Sequence, residues 1–311
     1  MKRIVIVVLL LAASTAFGQR CPDDDYKCQI ARDQNSYDPT AVFGLATSYS
    51  AIGRYDDSIR AFTRYIELAP HDARGYFYRA RDHSELKDYS HAIEDYTRAV
   101  EIDPSELKAI SNRAYCRGKF GDHHGAIQDY TLAIAASPDD AELYFARSLM
   151  YDALGEKGLA IADCSKAIEV DPAYSDAYFR RGSLKAEISD HSAALQDLDA
   201  AIRLSPGDAD AHLSRAHSYF ALGDFEKSIA DYSRTVSLNS SHINAYYGRA
   251  SAHFALGQFR RAVKDFSHYL NANRKDAEGY YWRARAYERL GKMKRSAADD
   301  QKSEELLGTV E

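Results

Sequence analysis

From residue 39 onward the chain repeats one pattern of apolar and polar positions every 34 residues, with the three- and four-residue spacing of amphipathic helices. Pro70, Pro104, Pro138, Pro172 and Pro206 mark the period. With these prolines at position 32, eight units start at residues 39, 73, 107, 141, 175, 209, 243 and 277 and cover 39–310 without insertion. In each unit a first helix, A, has apolar or aromatic residues at positions 4, 5, 8 and often 11. A second, B, reads as in Ala92-Ile93-Glu94-Asp95-Tyr96-Thr97-Arg98-Ala99-Val100. Position 15 is Gly in six units (Gly53, Gly121, Gly155, Gly223, Gly257, Gly291), which suits a helix end that needs positive φ. Asp-Pro or Ser-Pro ends helix B, because proline disfavours a helical residue before it. The pattern predicts an all-α chain of helix–turn–helix units.

Two positions are small throughout. Position 8 is Ala46, Ala80, Ala114, Ser148, Gly182, Ala216, Ala250 and Ala284; position 20 is Ser58, Ala92, Ala126, Ala160, Ala194, Ser228, Ala262 and Ser296. Small residues at fixed places on two helices let the backbones approach closely, a packing requirement. Charge repeats as well. Position 7 is Arg79, Arg113, Arg147, Arg181, Arg215, Arg249 and Arg283, and position 23 of the same seven units is Asp95, Asp129, Asp163, Asp197, Asp231, Asp265 and Asp299. The first unit has Leu45 and Ala61 instead. An arginine among packed helices is costly unless paired, so the co-occurrence predicts a helix A to helix B ion pair inside each unit. The other reading makes the seven arginines a ligand-binding row.

The recurring residues, as in Tyr144-x-x-x-Ser148-x-x-Tyr151 with Ala160, Ala167 and Pro172, resemble the tetratricopeptide repeat (TPR) family over residues 39–310. The resemblance implies a right-handed superhelical solenoid whose concave face is lined by helix A positions 2, 5, 6, 9, 12 and 13. On that assignment a partner-binding groove contains Phe43, Phe77, Arg81, Tyr115, Phe145, Leu149, Phe179, Leu213, Tyr247, Tyr281, Trp282 and Arg285. Such a groove suits an extended peptide or a partner helix. Half-buried packing between neighbouring helices A is the alternative reading of the position-5 aromatics. The family's carboxylate clamp is not expected, since Phe and Tyr dominate position 5 and position 9 is never Asn. The chain departs from the family at position 7, where leucine is usual. It departs again at position 32 of the last three units (Ser240, Arg274, Gly308) and at position 24 of the eighth (Asp300). The eighth helix B has a sparse apolar face, as a terminal unit should.

Composition narrows the function classes. The 311 residues include 40 Lys+Arg and 46 Asp+Glu, a net charge of −6 without a basic block, which argues against nucleic-acid binding. Residues 1–18 read as a secretory signal: Lys2 and Arg3, an apolar run from Ile4 to Ala13, and Ala16-Phe17-Gly18 as the cleavage site. The apolar run is too short to span a bilayer, so no membrane insertion is expected after cleavage. Residues 19–38 form a short N-terminal segment in which Cys21 and Cys28 are candidates for a disulfide, with two free thiols as the alternative. Cys116 and Cys164 fall in helical patterns as small hydrophobes. No CxxC motif and no i, i+4 histidine pair is present, so no metal, cofactor or catalytic residue is expected. The expectation is an exported scaffold or adaptor, periplasmic or secreted, that binds protein or peptide without a chemical step. Self-assembly through the solenoid ends, or recruitment within an envelope enzyme complex, is the alternative.

Overall fold

A computed structural model of the chain describes residues 37–308. The signal segment 1–18 and both Cys21 and Cys28 lie outside the described residues. Among the described residues all regular structure is α-helical, and the helices fall into two compact units that meet at Asp139 and Asp140. The first unit holds α1 (Pro39–Ala51), α2 (Tyr55–Leu68), α3 (Ala73–Glu85), α4 (Tyr89–Ile102), α5 (Leu107–Phe120) and α6 (His123–Ala136). The second holds α7 (Ala141–Ala153), α8 (Lys157–Val170), α9 (Ser175–Glu187), α10 (His191–Leu204), α11 (Ala209–Ala221), α12 (Phe225–Leu238), α13 (Ile243–Ala255), α14 (Phe259–Ala272), α15 (Ala277–Arg289) and α16 (Met293–Leu307). Odd-numbered helices are helices A and even-numbered ones helices B. Within each unit every helix packs against the next along the chain, so each unit is an all-α helical repeat solenoid.

Aspartates set the helix starts. Asp38, Asp72, Asp140, Asp208 and Asp276 each cap a helix A by accepting a hydrogen bond from the backbone N–H two residues on. Asp88, Asp122, Asp190 and Asp224 cap helices B by accepting from the N–H three residues on. All six glycines at position 15 have positive φ; Lys87 and Ser189 hold the same left-handed turn in the other two repeats that have one.

The small positions are the contact points of the A–B pairs. Positions 8 and 20 are buried in every repeat, and two of the three serines at position 20 reach across to helix A. Ser58 Oγ donates to the Ala46 carbonyl at 2.8 Å and Ser228 Oγ to the Ala216 carbonyl at 2.9 Å. Between repeats, size is compensated in pairs. Position 27 is tyrosine in only two repeats, Tyr65 and Tyr269, and in both the following repeat has glycine at position 3 (Gly75, Gly279). A β-carbon on Gly75 would lie 2.7 Å from the Tyr65 ring, and one on Gly279 would lie 3.1 Å from the Tyr269 ring. The freed phenols donate to the capping aspartates of the next helix, Tyr65 to Asp72 at 2.5 Å and Tyr269 to Asp276 at 2.7 Å.

Gly44 and Gly248 occupy position 6 of their repeats, yet nothing lies within 4 Å of a β-carbon at Gly44, whereas one at Gly248 would meet the buried Tyr232 ring at 2.3 Å. Gly44→Ala should therefore stabilise the first unit by about 0.5–1 kcal/mol through helix propensity. Gly248→Ala should destabilise the second by about 1–3 kcal/mol through overpacking. Urea midpoints read by far-UV circular dichroism check both; a common direction of shift would refute the assignment.

Candidate partner-binding surface

The seven position-7 arginines each form a two-pronged pair with the aspartate of their own repeat. Nε and Nη2 donate to the two carboxylate oxygens, as in Arg79–Asp95 (2.7 and 2.7 Å), Arg113–Asp129 (2.8 and 2.7 Å) and Arg147–Asp163 (2.7 and 2.7 Å). Arg181–Asp197, Arg215–Asp231, Arg249–Asp265 and Arg283–Asp299 repeat this arrangement at 2.6 to 2.9 Å. The carboxylates are buried, from 2% exposed at Asp129 to 7% at Asp95 and Asp299, so each depends on its guanidinium for charge balance. Hydrogen bonding to the aspartate raises the pKa of Arg79, Arg147 and Arg215 above the ordinary guanidinium range.

The third nitrogen of the fork, Nη1, reaches backwards. It donates to position 25 on helix B of the preceding repeat: Arg79 to Thr63 (2.9 Å), Arg113 to Thr97 (3.4 Å), Arg181 to Ser165 (3.0 Å) and Arg215 to Asp199 (2.7 Å). Arg249 to Ser233 and Arg283 to Ser267 follow, both at 3.2 Å. Each of these six arginines thus joins three helices, two of its own repeat and one of the repeat before. Position-4 tyrosines (Tyr76, Tyr144, Tyr178, Tyr246, Tyr280) flank the guanidinium groups at 5.4–6.0 Å. Where position 11 is cationic it shares the carboxylate, Arg117 with Asp129 and Lys185 with Asp197, both at 2.8 Å.

The expected groove residues divide by exposure. Phe43 packs against Phe62, Tyr65 and Tyr78 at ring separations of 5.7, 5.0 and 5.4 Å. Phe77 meets Tyr96 at 5.7 Å, Phe145 meets Tyr174 at 5.1 Å, and Tyr247 meets Phe266 and Tyr269 at 5.5 and 5.0 Å. With Phe179 and Leu213 these side chains are half-buried. Tyr115 (48% exposed), Tyr281 (45%) and Leu149 (36%) are open to solvent. Two of the expected arginines are already engaged. Arg81 donates to Ser50 at 2.9 Å, while Arg285 grips Asp300 through Nη2 at 2.5 Å and Glu288 through Nη1 at 2.9 Å. Asp300, the departure at position 24, therefore serves as an ion-pair partner. Trp282 lies 5.6 Å from Phe254 and 5.4 Å from Tyr281 and donates its indole N–H to Glu278 at 3.2 Å.

His83, at the end of α3, comes together with Asp88 and His91 at the start of α4. Asp82, fully buried, accepts hydrogen bonds from Ser50 and Ser58, both at 2.5 Å. Cys116 and Cys164 are buried free thiols, and burial pushes the Cys164 thiol up to about 11. No helix among the described residues is long and apolar enough to cross a membrane.

Family models for the tetratricopeptide repeat match residues 43–106, 141–174 and 247–305, and a model of the TPR repeat matches 216–257. The chain is a tetratricopeptide repeat protein. Among solved structures, a TPR protein from Parabacteroides merdae aligns at 22% identity and a TM-score of 0.58, over 75% of this chain and 93% of the other. The MamA protein aligns at 28% identity and 0.51, over 55% and 94%. YrrB, described as a TPR protein with an unusual peptide-binding site, aligns at 23% and 0.51, over 60% and 95%. No curated protein sequence matches the chain.

Two features of this TPR chain escaped the sequence reading. Position 25 is Thr, Ser or Asp in repeats 1 to 7, a pattern visible in the sequence once the back-reaching Nη1 is known. The His83–Asp88–His91 group draws its members from two helices, so a search for histidines four apart within one helix passes over it.

Replacing Arg249 by Met leaves Asp265 buried without its guanidinium and should cost about 2–4 kcal/mol, while Arg249→Met with Asp265→Leu should recover most of that. Urea unfolding of the two variants checks this; a double variant no more stable than the single one would count against a buried pair. The raised Cys164 thiol predicts slow alkylation of Cys116 and Cys164 by iodoacetamide at pH 7.5 in the folded protein and rapid alkylation in guanidinium, as read by peptide mass spectrometry.

Proposed function

We propose that this protein is an exported, non-catalytic scaffold that binds a peptide or a partner helix along the helix-A face of consecutive repeats. The observation that carries this reading is that helices A of the second unit leave large apolar side chains open to solvent, Leu149 on α7 and Tyr281 on α15. Both are solvent-exposed and stand on helices A, and from α9 to α15 each helix A touches the next. Phe145, Phe179 and Tyr247, on helices A of the same unit, are half-buried. An exposed apolar side chain backed by packed rings gives contact area at low entropic cost, as interface anchors do. Tyr115 offers the same kind of anchor in the first unit. The charged side chains of the arginine–aspartate ladder are consumed by the fold and are not available to a partner. Export rests on the positive, apolar and small-residue succession of residues 1–18.

In-cell crosslinking with mass spectrometry tests the reading, comparing wild type with a Leu149→Ser, Tyr281→Ser variant whose circular dichroism is unchanged. One partner captured by wild type, with yield reduced about tenfold or more in the variant, is the expected result. Equal capture by both would move the site away from helix A, and crosslinks only between copies of the chain would favour self-assembly. Fractionation of the native host with an antibody tests export separately; the intact N-terminus of residues 1–18 on the mature protein would refute cleavage.

A further inference from the structure

The corner between helix A and helix B of a repeat is formed by positions 11, 16 and 19. In six of the eight repeats these positions include at least one Lys or Arg: Arg54, Arg117, Lys185, Lys227, Arg261, and Lys292 with Arg295. The side chains act locally. Arg54 sits over the Tyr49 ring at 4.7 Å and pairs with Asp57; Lys227 sits over Tyr219 at 5.2 Å and donates to Asp224 at 2.6 Å; Arg295 sits over Tyr287 at 5.7 Å. The corner of the second repeat has no such cation at these positions and presents His83, Asp88 and His91.

Asp88 Oδ2 lies 2.7 Å from His91 Nδ1 and 3.5 Å from His83 Nδ1, and one ligand atom from each of the three residues falls within 4.8 Å of the others. The two imidazole rings lie nearly parallel with centroids 5.2 Å apart. Tetrahedral zinc with bonds of about 2.0–2.1 Å separates its donors by roughly 3.3 Å, so small side-chain rotations suffice to close the three around one ion. Asp88 is anchored as the cap of α4, and His83 is held by its partly buried ring, with 15% of the side chain exposed. His91, 62% exposed, faces solvent, which gives an ion an entry path and leaves a position for water. Two imidazoles and one carboxylate form a donor set for zinc, nickel or copper, whereas calcium and magnesium call for more oxygen. Repeat 7 offers an internal comparison: His253 Nδ1 there lies 2.8 Å from the amide oxygen of Gln258, which also accepts from Arg261 at 3.0 Å, so side-chain hydrogen bonds already complete that corner.

We propose that His83, Asp88 and His91 bind one divalent metal ion of the zinc class at the corner between α3 and α4, in the place a lysine or arginine fills in other repeats. The test is isothermal titration of the full chain, purified without an affinity tag, with Zn²⁺ alone, and with Ca²⁺ as the contrasting ion. The expected result is one Zn²⁺ per chain and no Ca²⁺, with affinity lowered about tenfold or more in His91→Ala and in Asp88→Asn and unchanged in His253→Ala. His91 is exposed and asparagine caps helices well, so both variants should keep the wild-type circular dichroism. Co²⁺ should give the visible absorption of a low-coordinate nitrogen and oxygen site in wild type and lose it in His91→Ala. Absence of Zn²⁺ uptake by the wild-type chain would overturn the proposal and leave the corner as a His91–Asp88 ion pair. Uptake unchanged in both ligand variants, or equal uptake of Ca²⁺, would overturn it as well.

Discussion

A guanidinium group has three nitrogens in one plane, and a buried carboxylate engages only two of them. That surplus governs the architecture of this protein. The aspartate at position 23 is withdrawn from water and requires the arginine of its own repeat; the arginine, held flat by two hydrogen bonds, aims its third nitrogen at helix B of the repeat before. The receiving hydroxyls complete the arrangement: Thr63, Ser165 and Ser267 accept from the arginine while donating to carbonyls of their own helices at 2.8, 2.7 and 2.6 Å. An interaction that contributes little net stability after desolvation is thereby well suited to fixing geometry, because a misplaced neighbour leaves a charged group unsatisfied.

Packing by size and pairing by charge divide the labour. Small residues at positions 8 and 20 determine how closely helices A and B approach, and the Tyr65–Gly75 and Tyr269–Gly279 exchanges show the same volume shared differently across a junction between repeats. The charged pairs then hold the rotation of each helix about its axis, which apolar contacts between alanines define poorly. The outward helix-A side chains are thus presented on a frame whose orientation is fixed elsewhere, a favourable basis for recognition by surface shape.

Much of this was legible in the sequence because a 34-residue period makes the chain its own comparison. The small positions, the glycine turns and the arginine–aspartate co-occurrence are each visible as columns, and a column has a physical cause even where a single residue does not. Exposure was much less legible. Phe43, Phe77 and Tyr247 share position 5 with Tyr281, yet they rest on rings at positions 24 and 27 while Tyr281 has Asp300 at position 24 and stands open; the difference lies in another helix. Arg285 was read as a groove residue for the same reason, since its partner lies 15 residues away on α16. The His83, Asp88 and His91 group falls outside any column because it is peculiar to one repeat, and proximity across a turn is a fact of three dimensions.

The arginine rung has a direction. Each of the six back-reaching arginines finds its acceptor in sequence that precedes it, and none of them reaches towards a later repeat. The first repeat has Leu45 at position 7 where the later repeats have arginine, and the eighth has Gln301 at position 25. A chain that leaves the ribosome from its N-terminus therefore always presents the finished surface before the residue that must seal onto it. At each of those six junctions the acceptor belongs to the earlier repeat and the donor to the later one, so it is the later repeat that completes the bond.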